Sequence, residues 1–288
     1  MCDNDIHQGL VEDWSLTRRT FMATGVIAGL ATSAAARAAA ANVVESDVSI
    51  KTPDGMADAA LFHPPGDGPW PAVLVWADIM GLRPVFREMG RRLAAEGYVV
   101  LVPNPFYRSL KAPVIDGAFN FNDPDSRKRL FGYRSEITDA GADSDATAYL
   151  AFLDAQPQTD KSKRAGVQGY CMGGPLSFRT AAAVPGRISA VGSFHGAGLA
   201  TDQPNSPHLL IPKTQAAWLV AIAQNDDAKE PEAKDVLKKA FSAAGKQAVV
   251  EVYPADHGWC VPGSQAYHHE AAEKAWSALM TLYKSSLT

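Results

Sequence analysis

Residues 166–174 read Gly-Val-Gln-Gly-Tyr-Cys-Met-Gly-Gly. An apolar strand over 164–168 runs into Gly-x-Cys-x-Gly, and a helix-compatible segment follows. This is the strand–turn–helix pattern of a nucleophile elbow, with cysteine in place of serine. Glycine at 169 and 173 lets the backbone turn sharply and lets neighbouring strands come close. Such a turn presents Cys171 at the carboxyl edge of a sheet. The free N–H groups of a helix starting near Met172 then favour a thiolate and offer one donor to a developing oxyanion. The chemistry suited to this arrangement is acyl transfer. The plainer alternative is a buried cysteine in a Gly-rich turn; the flanking strand and helix favour the nucleophile.

A triad needs a base and an orienting acid, and on this scaffold they follow the nucleophile in the order acid, base. Trp218–Ala223 reads as a short apolar strand, and Gln-Asn-Asp-Asp follows it, so Asp226 and Asp227 lie just past a strand end. Val249–Tyr253 reads as the last strand, and Pro-Ala-Asp-His-Gly-Trp puts His257 on the next loop. Either aspartate could instead cap a helix over Pro231–Ala244, so one caps and the other orients His257. By itself, His257 would be read as a surface loop histidine. With Cys171 and the aspartates in order, it is the candidate general base.

These runs, taken together, resemble the dienelactone hydrolase family within the α/β-hydrolase superfamily, from about Val43 to the C-terminus. Two upstream runs match as well: Ala72-Val-Leu-Val-Trp-Ala-Asp-Ile-Met-Gly81, and Glu96-Gly-Tyr-Val-Val-Leu-Val-Pro103 with Tyr107-Arg108 beyond it. The resemblance implies that Cys171 is the nucleophile, His257 the base and Asp226, rather than Asp227, the acid. It implies an oxyanion hole from the N–H groups of Ile79 and Met172. It places Arg108, with Tyr107, where family members bind a substrate carboxylate. Family members carry glutamate where this chain has Asp78, and that glutamate holds the resting cysteine. Aspartate is shorter by one C–C bond, about 1.5 Å, so its hold on the thiol is expected to be weaker.

The N-terminus carries a different signal. Residues 17–22 read Thr-Arg-Arg-Thr-Phe-Met, a twin-arginine export pattern, followed by a weakly apolar stretch and small-residue cleavage options near residues 38–41. The reading is a signal peptide over 1–40, one α/β-hydrolase domain over 41–288, and a periplasmic or secreted mature protein. The apolar stretch is too short and too rich in Gly, Ser and Thr for a stable membrane span. Removing the leader takes away three basic and four acidic residues, which changes the formal charge from −4 to −3. With no long basic run, nucleic acid is not expected as a partner. Of the three cysteines, Cys171 and Cys260 remain, too few for a disulfide framework.

Strands alternate with helices along the rest of the chain. A hairpin is expected over Val43–Ile50 and Met56–His63, then strands over Ala72–Trp76, Tyr98–Pro103, Ile188–Ser193, Trp218–Ala223 and Val249–Tyr253. Helices are expected over Pro84–Glu96, Ile137–Gln156, Gly174–Ala183, Pro231–Ala244 and Tyr267–Ser285. Asn104–Tyr133 and Leu199–Lys213 read as irregular loops, the first long enough to cover a site. The pattern implies a mostly parallel central sheet with helices on both faces.

Other features are weaker. Asp139, Asp143 and Asp145 read as a solvated helix face rather than a metal site. His268 and His269 start a helix and complete no ligand set for a metal. His195 reads as a packed, hydrogen-bonded histidine, Trp259 as a residue lining the pocket. No cofactor motif is present. The function expected is cleavage of small esters or lactones through a thioester on Cys171. The alternatives are a thiol redox protein using Cys171 and Cys260, and a silent binding module.

Overall fold

The computed structural model describes residues 42–115 and 123–287. The leader expected over 1–40 and its cleavage region lie outside them. The strands are β1 (Val44–Thr52), β2 (Gly55–His63), β3 (Ala72–Trp76), β4 (Val99–Pro103), β5 (Ala165–Tyr170), β6 (Ile188–Phe194), β7 (Ala217–Ala223) and β8 (Ala248–Tyr253). They form one eight-stranded sheet in the order β1-β2-β4-β3-β5-β6-β7-β8. The first two form a hairpin, β2 pairs antiparallel with β4, and every later pairing is parallel. The α/β-hydrolase architecture expected from the sequence is the one observed.

Central strands in such a sheet are covered on both faces and read as continuous apolar runs. Ala72-Val-Leu-Val-Trp and Val99-Val-Leu-Val-Pro do so, and every residue in them is buried. Alternate side chains feed two packing layers. Leu74, Trp76, Val167 and Trp218 face one layer with α3 (Asp139–Ala155), α4 (Gly173–Ala183) and α6 (Ala233–Ala243). Val73, Val75, Val100 and Leu219 face the other with α1 (Pro84–Ala95) and α7 (His269–Ser286). In the first layer the Phe178 ring sits 4.5 Å from Trp218 and 6.3 Å from Phe241, tying α4 to β7 and α6. Truncating such a ring to alanine costs about 3–5 kcal/mol.

Chain order reverses direction at β3. From there β4 lies on one side and β5 on the other. The carboxyl ends of strands flanking such a switch point form a natural crevice. The loop after β3 carries Asp78 and Ile79, and the turn after β5 carries Cys171.

Three expectations need correction. The segment 104–133 is not wholly irregular: α2 spans Pro124–Ser135. Its start signals are present, with Asp123 Oδ2 accepting from Ser126 N and Pro124 in the first turn. Only Leu130 of it is buried, so no apolar stripe marks the helix in the sequence. The helix expected over Pro231–Ala244 is present as α6, but an unexpected short helix, α5 (Gln224–Lys229), takes in both aspartates before it, and neither helix begins with a side-chain cap. The loop 199–213 ends in a 3-10 helix over Pro207–Lys213. Among the described residues, no helix is long and apolar enough to cross a membrane.

Candidate active site

The elbow lies between β5 and α4. Cys171 has φ of +52°, a left-handed conformation uncommon for a residue with a side chain and concentrated at functional positions. A Cβ on residue 169 would lie 1.8 Å from Gly173 O, and one on residue 173 would lie 2.4 Å from Trp76 O. Glycine is therefore required at both. Cys171 N donates to Phe194 O at 3.0 Å, and Gly174 N donates to Cys171 O at 3.0 Å. The turn is thus wedged between the ends of β3 and β6, and Cys171 is 4% exposed.

The loop after β3 is built around a buried ion pair. Arg83 Nη1 and Nη2 donate to Asp78 Oδ1 and Oδ2 at 2.7 and 3.0 Å. Met80 N donates to the same Oδ1 at 2.9 Å, and Gly81 N closes the turn on Asp78 O at 2.9 Å. Both Asp78 oxygens are thus engaged within their own loop. The N–H groups of Ile79 and Met172 have no acceptor among the described residues. One lies inside that turn and the other is the N-cap of α4, so two unspent donors flank the elbow.

The candidate acid and base follow the last two parallel strands. His257 Nδ1 and Asp226 Oδ2 are 2.7 Å apart, so Nδ1 carries the proton that the carboxylate accepts. His257 N donates to Asn225 Oδ1 at 2.9 Å, which fixes the loop after β8 against α5. Asp227 instead accepts from Lys234 Nζ at 2.7 Å. His257 Nε2 makes no hydrogen bond of normal geometry. The Cys171 sulfur is nevertheless close enough to act on the ring. Burial opposes the charged imidazole, but the charge on Cys171 and the hydrogen bond to Asp226 outweigh it and raise His257 from 6.5 to about 10. Catalytic hydrogen bonds are often loose before substrate binds.

Behind His257 lie two further rings. His195 packs edge-on against it, with ring centroids 4.7 Å apart, and Trp259 packs on His195 at 5.2 Å. Trp259 is fully buried and stacks on Tyr253 at 5.3 Å, so it backs the site instead of lining a pocket. The expectation for His195 is half right. The residue is packed, but neither ring nitrogen has a hydrogen-bond partner among the described residues. Burial, reinforced by the charge on His257, holds His195 well below its ordinary value of 6.5.

Arg108 and Tyr107 lie in a separate cluster. Arg108 Nη1 donates to Asp145 Oδ2 at 2.7 Å and its Nη2 to Asp54 Oδ2 at 2.6 Å, while its guanidinium stacks on the Tyr107 ring. Tyr107 OH donates to Asp145 Oδ1 at 2.7 Å and shares a 2.8 Å bond with Thr52. The Arg108 fork is thus already occupied by carboxylates of this chain. Asp145 is 2% exposed, so the solvated aspartate face expected on α3 is a solvated face only in part. Asp139 and Asp143 pair with Arg179. Cys171 and Cys260 are both free thiols, and they pack in different layers of the molecule. His268 accepts from Ala271 N at 3.2 Å and caps α7. Sequence reasoning missed Arg83. The only signal for it was a basic residue in an apolar loop, five positions after Asp78.

The chain is similar to known proteins over most of its length. The family model described as the dienelactone hydrolase family matches residues 57–287. The chain is 27% identical to a carboxymethylenebutenolidase from a Pseudomonas species, over 82% of this chain and 94% of that protein. A crystal structure of a dienelactone hydrolase-like promiscuous phosphotriesterase from metagenomic libraries superposes with a TM-score of 0.69 at 23% identity, covering 86% of this chain and all of that one. A dienelactone hydrolase from Anabaena variabilis superposes with a TM-score of 0.62 at 16% identity, covering 86% of this chain and 100% of that one.

Proposed function

The chain belongs to the dienelactone hydrolase family, and on that premise we propose that this hydrolase cleaves small esters or lactones through a triad of Cys171, His257 and Asp226. The observation that carries the reading is the 2.7 Å bond between His257 and Asp226, beside a cysteine in left-handed conformation on the adjoining elbow. Asp226 fixes the tautomer of His257, so that Nε2 faces the nucleophile as a base. The Cys171 sulfur, its proton already held on His257, adds to the substrate carbonyl. The oxyanion lodges on the N–H groups of Ile79 and Met172. Collapse expels the alkoxide, which takes the proton from His257, and leaves a thioester on Cys171. Water, deprotonated by His257, adds to the thioester, and the second collapse returns the thiol and releases the carboxylic acid. A sulfur nucleophile suits good leaving groups such as enol esters better than amides.

The test is intact mass after brief exposure to p-nitrophenyl acetate and to an enol lactone. The wild type should gain the acyl mass on Cys171, and the Cys171→Ala protein should gain none and turn over neither substrate. A folded Cys171→Ala protein with wild-type turnover would falsify the reading. Cys171 oxidised to a sulfenic acid, without turnover of either substrate, would point to redox chemistry instead.

We also propose that the mature enzyme works in the periplasm or outside the cell, on the strength of Arg18-Arg19 and the small-residue run that follows. Replacing both arginines with lysine should leave full-length precursor in the cytoplasm. Normal export of the double variant would end that assignment.

A further inference from the structure

Asp226 holds His257 at one atom, and a single hydrogen bond leaves the ring free to swing about its side-chain torsions. Something else must fix its plane. We propose that His195 is a positioning residue for the base: its ring, set edge-on against His257, holds the imidazole in the orientation that joins Asp226 to Cys171.

The contact is close, with centroids 4.7 Å apart and planes at 62°. His195 is itself pinned from several directions. Its N–H donates to Ala221 O at 2.8 Å, which ties it to β7. Trp259 lies 5.2 Å away at 68° and Tyr170 6.1 Å away at 51°. Gly196, the next residue, packs on the start of α4, where a Cβ on residue 174 would lie 2.6 Å from its Cα. His195 therefore gives His257 a wall that the sheet edge and the elbow helix hold together.

Histidine is a costly choice for residue 195 on two independent grounds. Its φ is +39°, a conformation that glycine or asparagine adopts more easily. Both ring nitrogens are buried without partners, a penalty that phenylalanine would avoid. Such costs persist where the surroundings over-determine a conformation, and they cluster at active sites. A proton relay through His195 has no path, because neither nitrogen meets a donor or acceptor among the described residues. The role left is mechanical. Burial also keeps the ring neutral, so it adds no like charge beside the imidazolium of His257.

The kinetic arm of the test rests on the triad proposed above; the spectroscopic arm does not. The Nδ1–H proton bonded to Asp226 gives a low-field resonance, assigned by its loss in His257→Gln and read equally well in Cys171→Ala. Two variants separate ring from nitrogen. His195→Asn tolerates the left-handed backbone but removes the ring; His195→Phe keeps the ring and removes the nitrogens. His195→Asn should broaden the resonance and lower kcat about tenfold or more with KM unchanged, the effect of a misplaced catalytic group. His195→Phe should restore a sharp resonance and most of kcat. If His195→Asn does not fold, His195→Phe still decides, since a sharp resonance in it supports the wall and a broadened one overturns it. A sharp resonance and unchanged kcat in folded His195→Asn also overturn the proposal. A normal resonance in every His195 variant of a protein whose Cys171→Ala form stays active would refute both readings separately.

Discussion

Asp226 and Asp227 are adjacent in sequence and hold different partners at the same distance: His257 for the first and Lys234 for the second, each at 2.7 Å. Only the first can set the tautomer of a base. Asp226→Asn should lower kcat by about 100- to 10,000-fold, as loss of an orienting aspartate does elsewhere. Asp227→Asn breaks a partly exposed ion pair worth about 0–1 kcal/mol, and kcat should stay near wild type. Steady-state kinetics of the two variants checks this, and the reverse ranking would move the acid to Asp227.

The two histidines set opposite slopes of stability against pH. His257 is raised from 6.5 to about 10 by burial opposed and outweighed by Cys171 and Asp226, so its contribution is complete below pH 6.5 and fades as pH rises through about 10. His195 is lowered from 6.5 by burial and by His257, so it withdraws stability as pH falls below 6.5. Their joint contribution is therefore greatest near pH 6.5. Denaturant unfolding across pH should lose its alkaline slope in His257→Gln and its acid slope in His195→Phe. An alkaline slope unchanged in His257→Gln would show that the imidazole is not held charged.

Arg108 neutralises Asp145, a carboxylate 2% exposed. Arg108→Gln leaves that charge buried and unpaired, which costs about 3–5 kcal/mol. The melting temperature should fall, and affinity for neutral and carboxylate-bearing esters should fall alike. A selective loss for the carboxylate-bearing esters, in a stably folded variant, would restore the substrate-binding role that the family resemblance implies.

Asp78 is committed to Arg83 through both oxygens. Asp78→Asn should therefore lower the melting temperature, since it removes the charge from a bidentate pair with a guanidinium only 3% exposed. It should also lower kcat by loosening the loop that carries Ile79. Labelling of Cys171 by iodoacetamide should stay close to the wild-type rate in Asp78→Glu. Slow labelling in Asp78→Glu with an unchanged melting temperature would mean that a longer carboxylate reaches the sulfur and gates it.

Much of this site was legible in the chain because its residues follow strand ends marked by strong punctuation. Gly169 and Gly173 betray the elbow because no larger residue fits there. The apolar runs before Asn225 and Pro254 betray the strand ends that carry Asp226 and His257. Choosing between the two aspartates was harder from residues alone. Both lie in the six-residue α5, where one position turns a side chain by about 100°, and a helix that short leaves no periodic trace. Arg108 was opaque for a different reason. Its partners lie 54 and 37 positions away, and each is an ordinary surface aspartate to the eye. His195 carried no local sign, since the rings around it come from two distant segments, Tyr170 on β5 and His257 with Trp259 on the loop after β8.

The proposed nucleophile, acid and base follow β5, β7 and β8, and the oxyanion donors follow β3 and β5. No two of these strands are joined by a short hairpin, and β8 is the last strand of the chain. Parallel pairings of that kind close long loops and form late in folding. The reaction centre therefore exists only once the whole sheet has assembled in register. Recovered ester hydrolysis after refolding will then lag behind the return of helical signal in far-ultraviolet circular dichroism. Catalysis in this enzyme serves as a clock for the final step of its own assembly.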